Sequence, residues 1–280
     1  MNKKKFALMA ASVALVASTV LFGTLAYFTD RESVANTFTV GNIDITLDEA
    51  KVNDYGVPTK NGAEVSGYID DKGEIVSNAP EVDRVPDPAD PNSPAGNNYK
   101  LVPGRTYVKD PTMTVVKGSE PTYLRMLVTI SHADVFDAIF DAVAQYQQRP
   151  VLTDIFNGYD ENTTVWKYHN EWRTTSPSTI TYEFRYCDAS GNAILDARAE
   201  TMDVELEPLF DSFTVPGYFG SQQIQDLNDM TITVIGQAIQ ADSFVADGAK
   251  SAEDVAWDAF DTQVAINGAY QSPNSGTTQP

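Results

Sequence analysis

The sequence has few of the residues that staple, ligate metals or attract phosphate. It holds one cysteine, Cys187, so no intramolecular disulfide can form. With 280 residues, 42% of them hydrophobic, the chain has enough apolar material to fold without a staple. Cys187 closes an alternating strand pattern and reads as a packed thiol rather than a reactive one. Two histidines, His132 and His169, leave little for a metalloenzyme, and HExxH, GxSxG and Walker-type segments are all absent. Carboxylates are so common here that finding a pair of them says nothing about glycosidase chemistry. Cations are scarce, with 19 Lys and Arg against 39 Asp and Glu, a net charge of −20. Such a surface repels nucleic acid and anionic membranes, which argues against either as a partner. The residues point to no catalytic site, cofactor or metal, so the chain does not read as an enzyme.

What is present begins at the N-terminus. Lys3, Lys4 and Lys5 precede a long apolar and small-residue stretch from Phe6 to Phe22. Thr24 and Ala26 then stand at −3 and −1 of a cut before Tyr27, the pattern of a signal peptide over residues 1–26. The alternative is an uncleaved membrane anchor; no basic cluster follows the stretch, which favours cleavage. Cleavage removes three lysines, leaving sixteen basic against thirty-nine acidic residues, near −23.

Residues 27–270 read as one β-sandwich domain, followed by a Ser/Thr/Gly/Pro-rich tail over 271–280 that is expected to be disordered. The new end, "YFTDRESVAN", is too polar to fold on itself, yet Phe28 and Val34 could anchor it before Asn36. A first strand is expected over Thr37–Leu47. Phe38 and Val40 share a face, and Ile43, Ile45 and Leu47 share one after a parity slip at Gly41-Asn42 that a bulge would absorb. Residues 51–100 are rich in Gly, Pro, Asn and Asp and read as an irregular acidic surface insertion. A hairpin is expected at "GYIDDKGEIV", turning at Asp71-Lys72-Gly73. Asp83, Asp87 and Asp90 lack the spacing of a dedicated calcium loop.

From Leu101 the alternation is strand-like. Met113 and Val115 share a face, as do Leu124, Met126, Val128 and Ile130, then Ile180, Tyr182, Phe184 and Tyr186, then Met202, Val204 and Leu206, then Met230, Ile232 and Val234. Two helices interrupt them: one after Ser131, read as N-cap with Asp134 completing a capping box, and one from Ser251 with Glu253 and Asp254 in its first turn. "WKYHNEW" is a core strand or an aromatic binding patch of Trp166, Tyr168 and Trp172. The whole predicts a mainly β protein, a jelly-roll-like β-sandwich with helices in its connections.

The junction "AYFTDRESVANTFTVGNIDITL", after a lysine-rich start and a long apolar stretch, resembles that of the TasA and camelysin (CalY) family of secreted Gram-positive matrix proteins. Gly41 falls at the glycine of that family's first strand. "LVPGRTYVKDPTMTVVKGSEPTYLRMLV", "EPLFDSFTVPG" and "AIQADSF…AW" are similar to weaker segments of related proteins, so the resemblance covers most of the chain outside 51–100. It implies a jelly roll, export, trimming by a SipW-type signal peptidase, and assembly into extracellular biofilm fibres. In such fibres the new N-terminal segment pairs as a strand with the next subunit, and other matrix proteins can join. The membrane would be met only through the signal peptide, before cleavage.

Three functions follow as expectations. The first is a self-assembling matrix fibre protein whose Tyr27–Asn36 arm is donated head to tail while the Phe38–Leu47 strand stays in its own core. The second is a non-polymerising surface binding or adhesin module that works through "WKYHNEW" and the acidic insertion. The third is a camelysin-type metalloprotease, for which the sequence shows no zinc motif.

Overall fold

The computed structural model describes residues 29–32, 43–86, 96–142, 155–227 and 229–266. The strands begin with β1 (Thr29–Glu32) and β2 (Ile45–Ala50), followed in the 51–100 segment by the two-residue strands β3 (Thr59–Lys60), β4 (Ala63–Glu64) and β5 (Arg84–Val85). Next come β6 (Thr106–Val108), β7 (Thr112–Val115), β8 (Thr122–Ser131) and helix α1 (Ala133–Ala142). Beyond it lie β9 (Phe156–Asn157), the hairpin β10 (Trp166–Thr175) and β11 (Ser178–Tyr186), and the short β12 (Ile194–Leu195), β13 (Val204–Glu205) and β14 (Ser212–Thr214). Helix α2 (Ser221–Asp226), β15 (Ile232–Gln240) and helix α3 (Ala252–Ile266) complete the order.

The largest sheet runs β1-β15-β8-β11-β10, with β12 also on β8; β13-β7-β2-β5 and β6-β14-β9 form two smaller sheets. Every pairing is antiparallel. The protein is mainly β, as the alternation predicts, with antiparallel sheets enclosing a common core. The pairing establishes that class, not a jelly-roll order.

The core forms where the alternating residues meet. Phe184, Tyr182 and Ile180 of β11 lie opposite Met126, Val128 and Ile130 of β8. They join Ile45, Met113 and Val115 from the facing sheet, and Tyr107, Phe156 and Phe213 from the third, in one buried cluster. The layers close tightly at Gly236 of β15, where a Cβ would come within 2.7 Å of Met113 Cε. Met202, expected on a strand face with Val204 and Leu206, lies before β13 and is exposed.

The other face of the large sheet is covered as well. Trp257 and Phe260 of α3 pack on Tyr123 and Ile239. The wholly buried Arg125 guanidinium sits 4.1 Å from the Phe260 ring and bonds Gln237 and Asp261, both at 2.7 Å, and Glu183 at 3.3 Å. A buried charge survives only with such partners. Helix α3 begins where read, and Ser251 and Asp254 cap it: Ser251 Oγ accepts the Asp254 N–H and Asp254 Oδ2 accepts the Ser251 N–H. Helix α1 is not capped as read. It starts at Ala133, with His132 before it at φ 58°. Ser131 remains in β8, its Oγ accepting the Thr231 N–H. The Asp134 N–H instead donates to Ser178 Oγ, 44 residues on, so the cap comes from the neighbouring strand and no local pattern could reveal it.

The 51–100 segment is irregular but holds a satellite core that its composition hid. Ala50, Tyr68 and Val108 are buried together, with Val52, Ile69, Ile75, Ala79 and Val82 packed against them. The hairpin forms where expected: Ile69 bridges Ile75, and the Gly73 N–H donates to the Asp70 carbonyl. Buried Asp110 fastens the segment, accepting hydrogen bonds from Ala50 N–H (2.6 Å), Tyr68 hydroxyl (2.8 Å) and Arg84 Nη1 (2.6 Å). Ser212 Oγ donates to the Gly73 carbonyl, and a Cβ on Gly73 would meet that Oγ at 2.5 Å.

Candidate functional site

The residues singled out for assembly divide around β1. Thr24, Ala26, Tyr27, Phe28, Val34, Asn36, Phe38, Val40 and Gly41 lie outside the described residues. Ile43 and Ile45 are buried in the main core and Leu47 packs against it. Between them β1, part of the polar arm, is the outermost strand of the large sheet. It pairs with β15 through Thr29↔Ile239, Asp30↔Ala238, Arg31↔Gln237 and Glu32↔Gly236.

The burial of β15 follows that pairing. Gly236 to Ile239, opposite β1, are buried, whereas Ile232 to Ile235 are partly or fully exposed. Ile232 to Ile235 line a cavity of about 860 Å³. Its walls are Leu47 from β2, Tyr99 and Leu101 from the end of the insertion, Phe213 from β14, and Leu227 and Met230 before β15. Asp48 and Glu49 lie on the same lining. Burial pushes the Asp48 carboxyl above its ordinary value, opposed by the Arg84 guanidinium. A groove of mixed apolar and polar lining beside a sheet edge can take a strand: backbone groups pair with the edge and alternate side chains enter the groove.

The other candidates are dispersed. Trp166 and Tyr168 of β10 lie opposite Tyr186 and Phe184, but a bulge at His169 shifts the register, so Trp172 falls opposite Thr181 on the other face. Trp166 and Trp172 are buried and Tyr168 is 40% exposed, so the three aromatics do not form one binding patch. Cys187 is half-buried. Asp87 and Asp90 lie outside the described residues, and Asp83 accepts the Asn61 N–H.

The N-terminal region also carries the likeness to known proteins. Residues 1–57 match the camelysin metallo-endopeptidase family. That stretch runs from the lysine-rich start through β1 and β2 into the insertion, and supports the family resemblance over the N-terminal region alone. No curated protein and no solved structure matches the chain. The family's name implies a catalytic metal, and the donors described do not fit one. Among the described residues no three His, Cys, Asp or Glu side chains gather as a metal site. His132 Nδ1 is engaged with Ser131 Oγ at 2.9 Å, and His169 sits at the β10 bulge with its pKa lowered by burial and then by Arg185.

Proposed function

We propose that the chain is a secreted structural protein that assembles into extracellular matrix fibres by donating its processed N-terminal arm to β15 of the next copy. The observation that carries this reading is the place of β1. Among the described residues the arm is an edge strand, paired with Gly236 to Ile239 of β15 beside a groove of mixed apolar and polar lining. An edge strand paired through its backbone can be replaced by the same strand from a second copy at little net cost, since the bonds lost are regained. Donation from copy to copy does not close on itself, so a filament results. The N-terminal family match agrees with a secreted matrix protein at family level.

In this reading a signal peptidase of the SipW type cuts before Tyr27 and frees the arm. The protein then lies outside the cell or on its surface, with further copies as principal partner, and it works without catalysis or cofactor. Among the described residues no helix is long and apolar enough to cross a membrane. N-terminal sequencing of the secreted form should begin at Tyr27. That form should give filaments in negative stain, and the same protein without residues 27–36 should stay folded and monomeric. Ordinary filaments from the truncated chain would sink the reading. The matched family's name favours a second reading, a metallo-endopeptidase. It requires that the purified mature protein degrade casein in a chelator-sensitive way, and absence of that activity would dispose of it.

A further inference from the structure

Glu49, in β2, holds an amine and an amide, one on each carboxylate oxygen. Its Oε2 accepts a hydrogen bond from Lys109 Nζ at 2.6 Å, and its Oε1 accepts one from Asn97 Nδ2 at 2.9 Å. The ion pair is buried, with Lys109 5% and Glu49 8% exposed. The Asn97 amide is fixed at its remaining positions too. Nδ2 also donates to the Ala50 carbonyl at 2.8 Å, and Oδ1 accepts the Val52 N–H at 2.9 Å. Tyr99 lies alongside, its hydroxyl donating to the Val108 carbonyl, with its pKa pushed up by burial and then by Glu49.

A buried Lys–Glu pair contributes little to stability against a well-packed apolar pair. Set against a restrained amide, it supplies the parts of an acyl transfer: an amine, a base joined to it, an electrophilic carbon, and a backbone donor on the oxygen that gains charge. We propose that Lys109 and Asn97 are joined by an intramolecular isopeptide bond formed with Glu49 as proton carrier.

The Lys109 ammonium passes a proton to Glu49, and the neutral amine's lone pair attacks Asn97 Cγ. The carbonyl electrons move onto Oδ1, which faces the Val52 N–H. Collapse of this intermediate restores the carbonyl and breaks the Cγ–Nδ2 bond. Glu49 gives its proton to the departing nitrogen and takes the second proton from the attacking one. The ammonia carries that proton away as ammonium, so Glu49 ends as the carboxylate it began. The balance is one ammonium and one amide in, one substituted amide and one ammonium ion out, with no oxidant or cofactor. The bond would tie the end of the insertion to the chain just beyond β6, at the wall of the groove.

Intact mass measured under denaturing conditions tests this directly. The mature protein should be lighter than its sequence by about 17 Da, the mass of one ammonia. Trypsin should release a branched species joining residues 85–100 to residues 106–117, with no cleavage after Lys109. Glu49→Gln should restore the full mass, and so should Lys109→Arg, which keeps a cation at the site. Wild-type protein at its full sequence mass overturns the proposal whether or not any variant folds. A loss confined to the unbranched 85–100 peptide also overturns it, because that marks a cyclised asparagine. A branched peptide persisting in Glu49→Gln removes Glu49 from the mechanism.

Discussion

β15 has two edges, and they are built differently. Toward β8 it pairs over nine residues, Ile232↔Ile130 to Gln240↔Thr122. Toward β1, among the described residues, it pairs over four. The β8 edge lies in the middle of the sheet, with the main core on one face and α3 on the other. The β1 edge ends beside a cavity. A strand pinned on both faces is part of the folding unit, whereas one at the edge of a sheet can be exchanged. The comparison separates stability from assembly: changes at the first edge should unfold the protein, and changes at the second should leave it folded but monomeric.

The largest expected effect is at the β8 edge. Met126→Ala leaves a void in the main core and should cost about 2–5 kcal/mol in urea melts, with filaments lost only because the subunit unfolds. Removal of residues 27–36 should abolish filaments while moving the urea midpoint by a small fraction of that amount. If both changes unfold the protein equally, the two edges are one cooperative unit and the distinction fails. Val234→Asp should sharpen it. Val234 lines the groove together with Asp48 and Asp229, so a further carboxylate repels an entering strand. Sedimentation should show monomer, and circular dichroism a folded spectrum.

A smaller effect separates the insertion from both edges. Burial pushes Asp211 up to about 6, with Asp110, Glu74 and Asp70 adding to the rise and the Ile75 N–H opposing it. The folded state therefore holds this proton more tightly than the unfolded chain does, so stability is lost as pH rises from about 4 to 6 and the penalty persists above. Asp211→Asn keeps an acceptor for Ile75. It should stabilise the protein at pH 7 by about 1 kcal/mol, a value reduced for the group's partial exposure, and the gain should vanish near pH 4. Thermal melts at the two pH values check this, and filament formation should be unchanged. The smallest effect concerns net charge. With sixteen basic against thirty-nine acidic residues after processing, wild-type assembly should quicken below about pH 5 as carboxylates become neutral. Light scattering that shows no pH dependence would remove electrostatic restraint from the account.

The sheet was legible in the sequence wherever one face is apolar. The β8 and β11 sets, Leu124 to Ile130 and Ile180 to Tyr186, were read from alternation and lie in the core. The α3 cap was legible because both partners, Ser251 and Asp254, are local. The α1 cap was not, because its oxygen belongs to Ser178 on another strand. Arg125 was equally hidden. A charged residue in a strand signals an exposed face until a helix more than 120 residues on supplies Phe260 and Asp261 to cover it. The satellite core escaped notice because its apolar residues are spread among turns, and the Asp110 carboxylate that fastens Ala50 and Tyr68 lies far along the chain. At the candidate site, the division between a polar arm and a buried Ile43–Ile45 stretch was visible in the pattern. The groove was not, since its walls come from six separate parts of the chain.

The proposed donation of β1 between copies can be tested covalently. In a Cys187→Ser background, one preparation carries Asp30→Cys and a second, of different mass label, carries Ala238→Cys, the residue that faces Asp30 across the β1–β15 pair. The two are mixed, allowed to form filaments and oxidised. A disulfide joining the two labelled chains in the filament fraction is the expected result. Filaments in which no such cross-link forms, while a single chain carrying both cysteines links only to itself, would contradict donation of the arm to β15.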